Sequence, residues 1–249
     1  MSVTTFIYDG TFSGFLTVVA KTAGRWGEIS AIEPTPPPQQ GLFSFAETVA
    51  ADSGIAAELY EAIGRRVSRQ AREMVHHAFL SGAEGVEMLL LRNLELALAV
   101  GGEVDDMLAD ERVATVHRLA ARVRQEAHRM KGFVRFMEVT EGFFYARIEP
   151  DNDILPLVMP HFAARFGDRH WLIHDLRRKK GGMFDPLRRK WVITAMDLHA
   201  DPQATVAEEV CSRLWQRYFE RLAVEERTNL KLQQSKVPKK YRRHLTEFC

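Results

Sequence analysis

The sequence predicts an α+β fold in which an N-terminal βα unit and a helical region pack with an antiparallel sheet of order ββαβββ, followed by C-terminal helices. Three observations carry that expectation. Residues 5–8, Thr-Phe-Ile-Tyr, read as a short strand that runs through Asp9-Gly10 into an amphipathic stretch. Residues 52–131 keep apolar side chains at spacings of three and four, as one face of a helix requires. After Gly132 the spacing drops towards two, as in strands.

Taken in order, Thr11 or Ser13 suits the N-cap of a first helix carrying Phe12, Phe15, Leu16 and Val19. The stretch EPTPPPQQG at 33–41 holds four prolines without amide donors and reads as a surface loop, after which Phe43 to Val49 returns as a strand. Asp52 or Ser53 caps a helix with Ile55, Leu59, Ile63 and Val67 on one stripe; Ser68 starts another; residues 84–100 are leucine-rich and stop at Gly101-Gly102. Asp110 caps a helix over 111–131, which Gly132 is expected to end. The segments FVRFMEV and FFYARIE flank Thr140-Glu141-Gly142 as a hairpin. Residues 153–166 then form a helix, 170–176, 182–185 and 190–195 three strands, 205–222 a long helix, and Pro238 opens a last short helix ending near Leu245.

The 249 residues suit a single domain, with 46% hydrophobic content to supply its core. A net charge of +1 hides an asymmetry: residues 1–110 hold seven Lys and Arg against fifteen Asp and Glu, whereas 111–249 hold twenty-seven against eighteen. A basic C-terminal surface is therefore expected on an acidic, mostly helical N-terminal half. Two cysteines, Cys211 and Cys249, supply neither a disulfide framework nor a zinc or iron–sulfur ligand set. The N-terminus lacks a basic segment leading into an apolar one, and the longest apolar run is far too short for a membrane span, so a cytoplasmic location with no membrane partner is expected.

Three clusters make up the basic half. On the helix 111–131, His117, Arg124, His128 and Lys131 lie along one flank of the apolar stripe and Arg118, Arg122 and Arg129 along the next; Arg135 follows. The segment 164–191 has nine Lys and Arg, including Arg177, Arg178, Lys179 and Lys180 after one strand and Arg188, Arg189 and Lys190 before another. The segment 227–245 has seven, including Lys239, Lys240, Arg242 and Arg243, and no acid. Cations interleaved with Phe133, Phe136, Trp171, Trp191 and Tyr241 form the pattern that phosphate contact and base stacking require, so DNA is the expected partner. Solvated helix faces, edge-strand lysines and a flexible tail are the plainer readings of the same residues.

Catalytic chemistry is weakly marked, and no cofactor or metal is implied. No phosphate-binding GxxxxGK[ST] loop or GxSxG elbow is present, and His170 and His174 sit ~13 Å apart along one strand at ~3.3 Å per residue, too far to share an ion. The strongest enzymatic alternative is a metal-dependent nuclease using Asp151, Asp153, Asp168 and Asp175; a base-acting hydrolase with His161 and Asp175 as an acid–base couple is another.

The segments DGTFSGFL, AHRMKGFVRF, EPDNDILPLVMPHFAARF, WLIHDLRR and ERTNLKLQQSKVPKKYRRHLTEF together resemble a bacterial family of unknown function described as DNA-metabolism or DNA-repair proteins. Members resemble a module fused to a uracil-DNA glycosylase-like domain, or encoded beside a radical-SAM protein similar to spore photoproduct lyase. The resemblance implies DNA lesion processing with such a partner acting in trans, and carries over no catalytic residue. A protein-only adaptor for the radical-SAM enzyme is the alternative of a different class.

Overall fold

The computed structural model describes residues 4–34, 45–198, 202–206, 208–209, 211–214 and 236–246. The fold is α+β, as expected, and the chain divides into two compact units, residues 1–124 and 125–249.

In the first unit β1 (Thr4–Ile7) leads into α1 (Phe12–Lys21), whose first turn is capped by the Thr11 hydroxyl accepting from the Gly14 amide at 2.9 Å. A strand beyond the expected set follows, β2 (Ile29–Glu33), and with β3 (Phe45–Thr48) it flanks β1 in an all-parallel sheet of order β2-β1-β3. Helices α2 (Ser53–Arg66), α3 (Arg69–Phe79) and α4 (Val86–Val100) begin and end close to where caps were expected: Asp52 caps the first, Ser68 the second, and Gly101 at φ +70° ends the third. Phe15, Val18, Ile63, Leu90 and Leu94 are buried in the core of this unit.

Helix α5 (Glu111–Phe133) begins at Asp110, whose carboxylate takes the Arg112 amide at 2.9 Å and its guanidinium at 2.7 Å. The helix does not stop at Gly132. It continues to Phe133, and the Val134 amide still reaches the Met130 carbonyl at 3.0 Å. The extra residues contribute to packing: Phe133 lies against Tyr241, and Val134 is buried.

The second unit carries a five-stranded sheet of order β4-β5-β6-β7-β8: β4 (Met137–Thr140), β5 (Phe143–Ile148), β6 (His170–Asp175), β7 (Lys180–Asp185) and β8 (Lys190–Ala195). The chain order ββαβββ is as expected, but the sheet is mixed: β5 and β6 are parallel, the other three pairs antiparallel. Helix α6 (Leu155–Arg165) between them returns the chain to the end of the sheet from which β5 departed, which is what a parallel neighbour demands. Its Val158, Met159 and Phe162 are buried, and α7 (Lys239–Arg242) opens after Pro238. The helix expected over 205–222 and the proline loop lie largely outside the described residues.

The turns β6–β7 and β7–β8 are built alike. Asp175 accepts from the amides of Arg177 and Arg178 at 3.0 and 3.1 Å, Asp185 from those of Leu187 and Arg188 at 2.9 and 3.4 Å. Each loop ends on a residue at positive φ, Lys179 at 50° and Arg189 at 51°. The two basic clusters of this region are therefore turn sequences first, and an aspartate opens each turn because a short carboxylate can take two successive amides. Asp175 is fully buried and also pairs with the Arg178 guanidinium, while Asp185 is half-exposed. Asp175→Ala is expected to cost ~3 kcal/mol in denaturant unfolding, because it takes a buried carboxylate from two backbone amides and from a largely buried guanidinium, and Asp185→Ala ~1 kcal/mol. Equal losses would contradict this division.

Candidate nucleic-acid interface

Parallel and antiparallel pairing together sort the loops of the second unit onto two ends of the sheet. One end gathers the β5–α6 loop, the β6–β7 turn and the residues after β8; the other gathers the β4–β5 turn, the α6–β6 connection and the β7–β8 turn. The fifteen expected DNA contacts fall unequally between them.

At the first end, cations meet carboxylates. Arg177 pairs with Asp151 at 3.1 Å, Arg178 with Asp175 at 3.2 Å, Lys179 with Asp197 at 2.8 Å and Lys180 with Asp153 at 2.5 Å. Lys240 binds Asp151, and Arg243 binds Glu149. The Arg178 guanidinium also donates to the carbonyls of Pro150 and Asp151, and Arg242 Nε donates to the Val237 carbonyl at 3.2 Å. Lys239 is exposed beside them.

Below these pairs Glu126, buried on α5, accepts from the amides of Asp151 and Asn152, each at 2.8 Å, from Asn152 Nδ2 at 2.6 Å, and from the Tyr241 hydroxyl. One carboxylate thus ties α5, the β5–α6 loop and α7 together. Burial, and after it the Glu126 carboxylate, hold the Tyr241 phenol far above its ordinary range, with Arg129 opposing the rise. Lys240, first among its neighbours, holds the Asp151 carboxyl below the usual range. Phe133 and Tyr241, counted with the stacking aromatics from sequence, pack on each other here, with ring centroids 5.7 Å apart.

The second end is different. Lys131, Gly132, Val134, Arg135 and Phe136 from the end of α5 and the segment after it, Phe144 from β5, Phe162, Arg165 and Phe166 from α6, and Asp168, Arg169 and Trp171 enclose a pocket of about 670 Å³. That volume falls in the ~300–1,000 Å³ range of small-ligand sites. Five aromatic side chains form its walls. Phe136 meets Phe162, Phe166 and Trp171 edge-on at 5.4 to 5.7 Å, and Trp171 stacks on Phe184 at 5.2 Å. Arg165 lies 5.5 Å over the Phe166 ring and Arg169 5.1 Å over Phe144. Among the described residues Asp168 is the one acid in the lining, 3.8 Å from Arg169. Arg135 donates to the Gly132 carbonyl at 2.7 Å, which holds it at the rim. The β7–β8 turn with Arg188, Arg189 and Lys190 belongs to the same end, since Trp171 pairs with Phe184 and Phe184 with Trp191. His128 is exposed on α5.

The residues weighed for catalysis do not assemble. Asp175 is occupied in its turn at the first end. His161 stands on α6, where burial, then the charges of Lys131 and Arg165, push its pKa below the ordinary histidine value. The expected His161–Asp175 couple therefore does not form. Asp151 and Asp153 are engaged by lysines, and Asp168 lines the pocket at the other end. Among the described residues no group of three or more His, Cys, Asp and Glu is arranged to hold a metal ion. His174, buried, shares a 2.9 Å hydrogen bond with the Tyr145 hydroxyl. No helix among the described residues is long and apolar enough to cross a membrane.

Residues 84–247 match the family model of DUF4130, a domain of unknown function. The chain belongs to the DUF4130 family. The DUF4130 match takes in α4, α5 and the whole five-stranded sheet, and so both the Glu126 hub and the aromatic pocket. A search of curated proteins found no match.

Phe144, Phe162, Phe166, Arg165 and Arg169 were not singled out from sequence. For all but Phe144, which lies on β5, the signal is the run Phe162, Arg165, Phe166, Arg169, in which both aromatics and both arginines recur at a spacing of four across the end of a helix.

In a double-mutant cycle, Glu126→Gln is expected to cost ~2–3 kcal/mol and Tyr241→Phe ~1 kcal/mol, with the pair costing less than the sum; strict additivity would contradict a shared hub. Replacing Lys131 and Arg165 by Met should raise the His161 midpoint in an NMR titration, because two like charges that disfavour the imidazolium are removed. An unmoved midpoint would place those cations away from the ring.

Proposed function

We propose that this DUF4130 protein binds DNA through the pocket end of its second unit and presents it to a separate repair enzyme. The observation that carries the reading is the lining of the pocket, in which, among the described residues, Lys131, Arg135, Arg165 and Arg169 stand among five aromatic rings with Asp168 as the sole acid. Cations at a rim neutralise phosphates, and flat rings behind them offer faces to bases. Arg188, Arg189 and Lys190 extend the same charge along the sheet end, Arg188 with Asp185 3.7 Å away. At the other end Arg177, Arg178, Lys179, Lys180, Lys240 and Arg243 pair with carboxylates of the protein, so they contribute to the fold before they contribute to a polyanion. The resemblance to DNA-repair proteins supports a lesion-processing setting, with a radical-SAM protein similar to spore photoproduct lyase, or a uracil-DNA glycosylase-like protein, as the enzyme served.

Gel-shift and anisotropy titrations against salt test the reading. Binding is expected to weaken steeply between low and moderate salt, and Arg165→Gln with Arg169→Gln to lower the slope of log K on log salt by ~0.7–0.9 for each phosphate no longer neutralised. Lys179→Gln, which removes a cation paired at the opposite end, should leave the slope unchanged. Salt-insensitive association, or a larger effect from Lys179 than from the pocket arginines, would overturn the proposal.

A further inference from the structure

We infer that the pocket receives a single base standing out of its stack, so that the ligand is a strand with an unpaired nucleotide and not an intact duplex. This rests on the DNA-binding reading above and specifies its substrate. Three features of the lining lead there. First, the rings that are only half-buried, Phe136, Phe144 and Phe166, face a concave space and not an open surface. A duplex keeps the faces of its bases inside its own stack, so side chains recessed in a pocket reach only a base that has left it. Second, the Arg169 and Arg165 guanidinium groups stand over the Phe144 and Phe166 rings, at 5.1 and 5.5 Å from the centroids. An arginine lying on an aromatic ring offers its outer face to a base, and the charge beside it meets the phosphate attached to that base. Third, a space of about 670 Å³ takes a nucleotide whole, whereas the rim cations alone would have served a flat groove tracking a backbone. Asp168, exposed in the lining and 3.8 Å from Arg169, can accept a hydrogen bond from an amino or imino group of a base.

The experiment uses the full chain and 2-aminopurine as the reporting base, placed in a single-stranded oligonucleotide, as an unpaired bulge in a duplex, and in the fully paired duplex of the same sequence. A change in 2-aminopurine fluorescence on binding is expected for the first two, with affinity about tenfold or more above that for the paired duplex. Phe144→Leu, which keeps apolar bulk but loses the flat face, should abolish the fluorescence change and the preference for an unpaired base; Phe166→Leu is the second variant in case the first disturbs the fold. Equal binding of all three DNAs with unchanged fluorescence would overturn the unstacked-base assignment and leave the DNA-binding reading standing. No binding to any of them would overturn both. A deoxynucleoside monophosphate that competes as strongly as the strand would move the site to free nucleotides and overturn the strand assignment.

Discussion

The Glu126 carboxylate is the contact on which the second unit depends. It is buried, accepts from two successive backbone amides, an amide side chain and a phenol, and so joins a helix, a loop and a C-terminal segment far apart in sequence. A buried carboxylate is costly unless its lone pairs are filled, and here they are. The loop it holds, 150–153, is the one whose Asp151 and Asp153 then neutralise Lys240, Arg177 and Lys180. One satisfied acid thus sets out the acids that close the surrounding positive charge.

That closure gives the two ends of the sheet different characters. At one end lysines and arginines are held by carboxylates and carbonyls and stabilise loops. At the other, Arg165 and Arg169 lie on phenylalanine rings, and the acids are fewer. A cation on an aromatic face keeps its charge open to an incoming anion in a way that one locked on a carboxylate does not. Net composition cannot express this difference, since both ends contribute basic residues to the same total.

Much of the fold was legible from the chain because it is written in local signals. Asp52, Ser68 and Asp110 cap helices where their side chains can reach free amides, Gly101 supplies a positive φ, and Gly142 does so in the β4–β5 turn. The parallel pairing of β5 and β6 was not legible, because direction depends on where α6 delivers the chain and not on the strands themselves. β2 was hidden because five residues after a short turn carry little periodicity. At the site, Lys131, Arg135, Phe136 and Trp171 were read from sequence, and Arg165 and Arg169 lay within a cluster noticed only for its charge. The runs at 177–180 and 239–243 looked equally open, since their partners Asp151, Asp153 and Glu149 lie tens of residues away and are brought in by the sheet.

The different roles of the two ends are open to direct mapping by photo-crosslinking a halogenated-base oligonucleotide to the protein and locating the modified peptides by mass spectrometry. Crosslinks concentrated on Phe136, Phe144 and Phe166 are the expected result. Crosslinks concentrated on the segment 239–243 or the β6–β7 turn, with the pocket residues untouched, would contradict it.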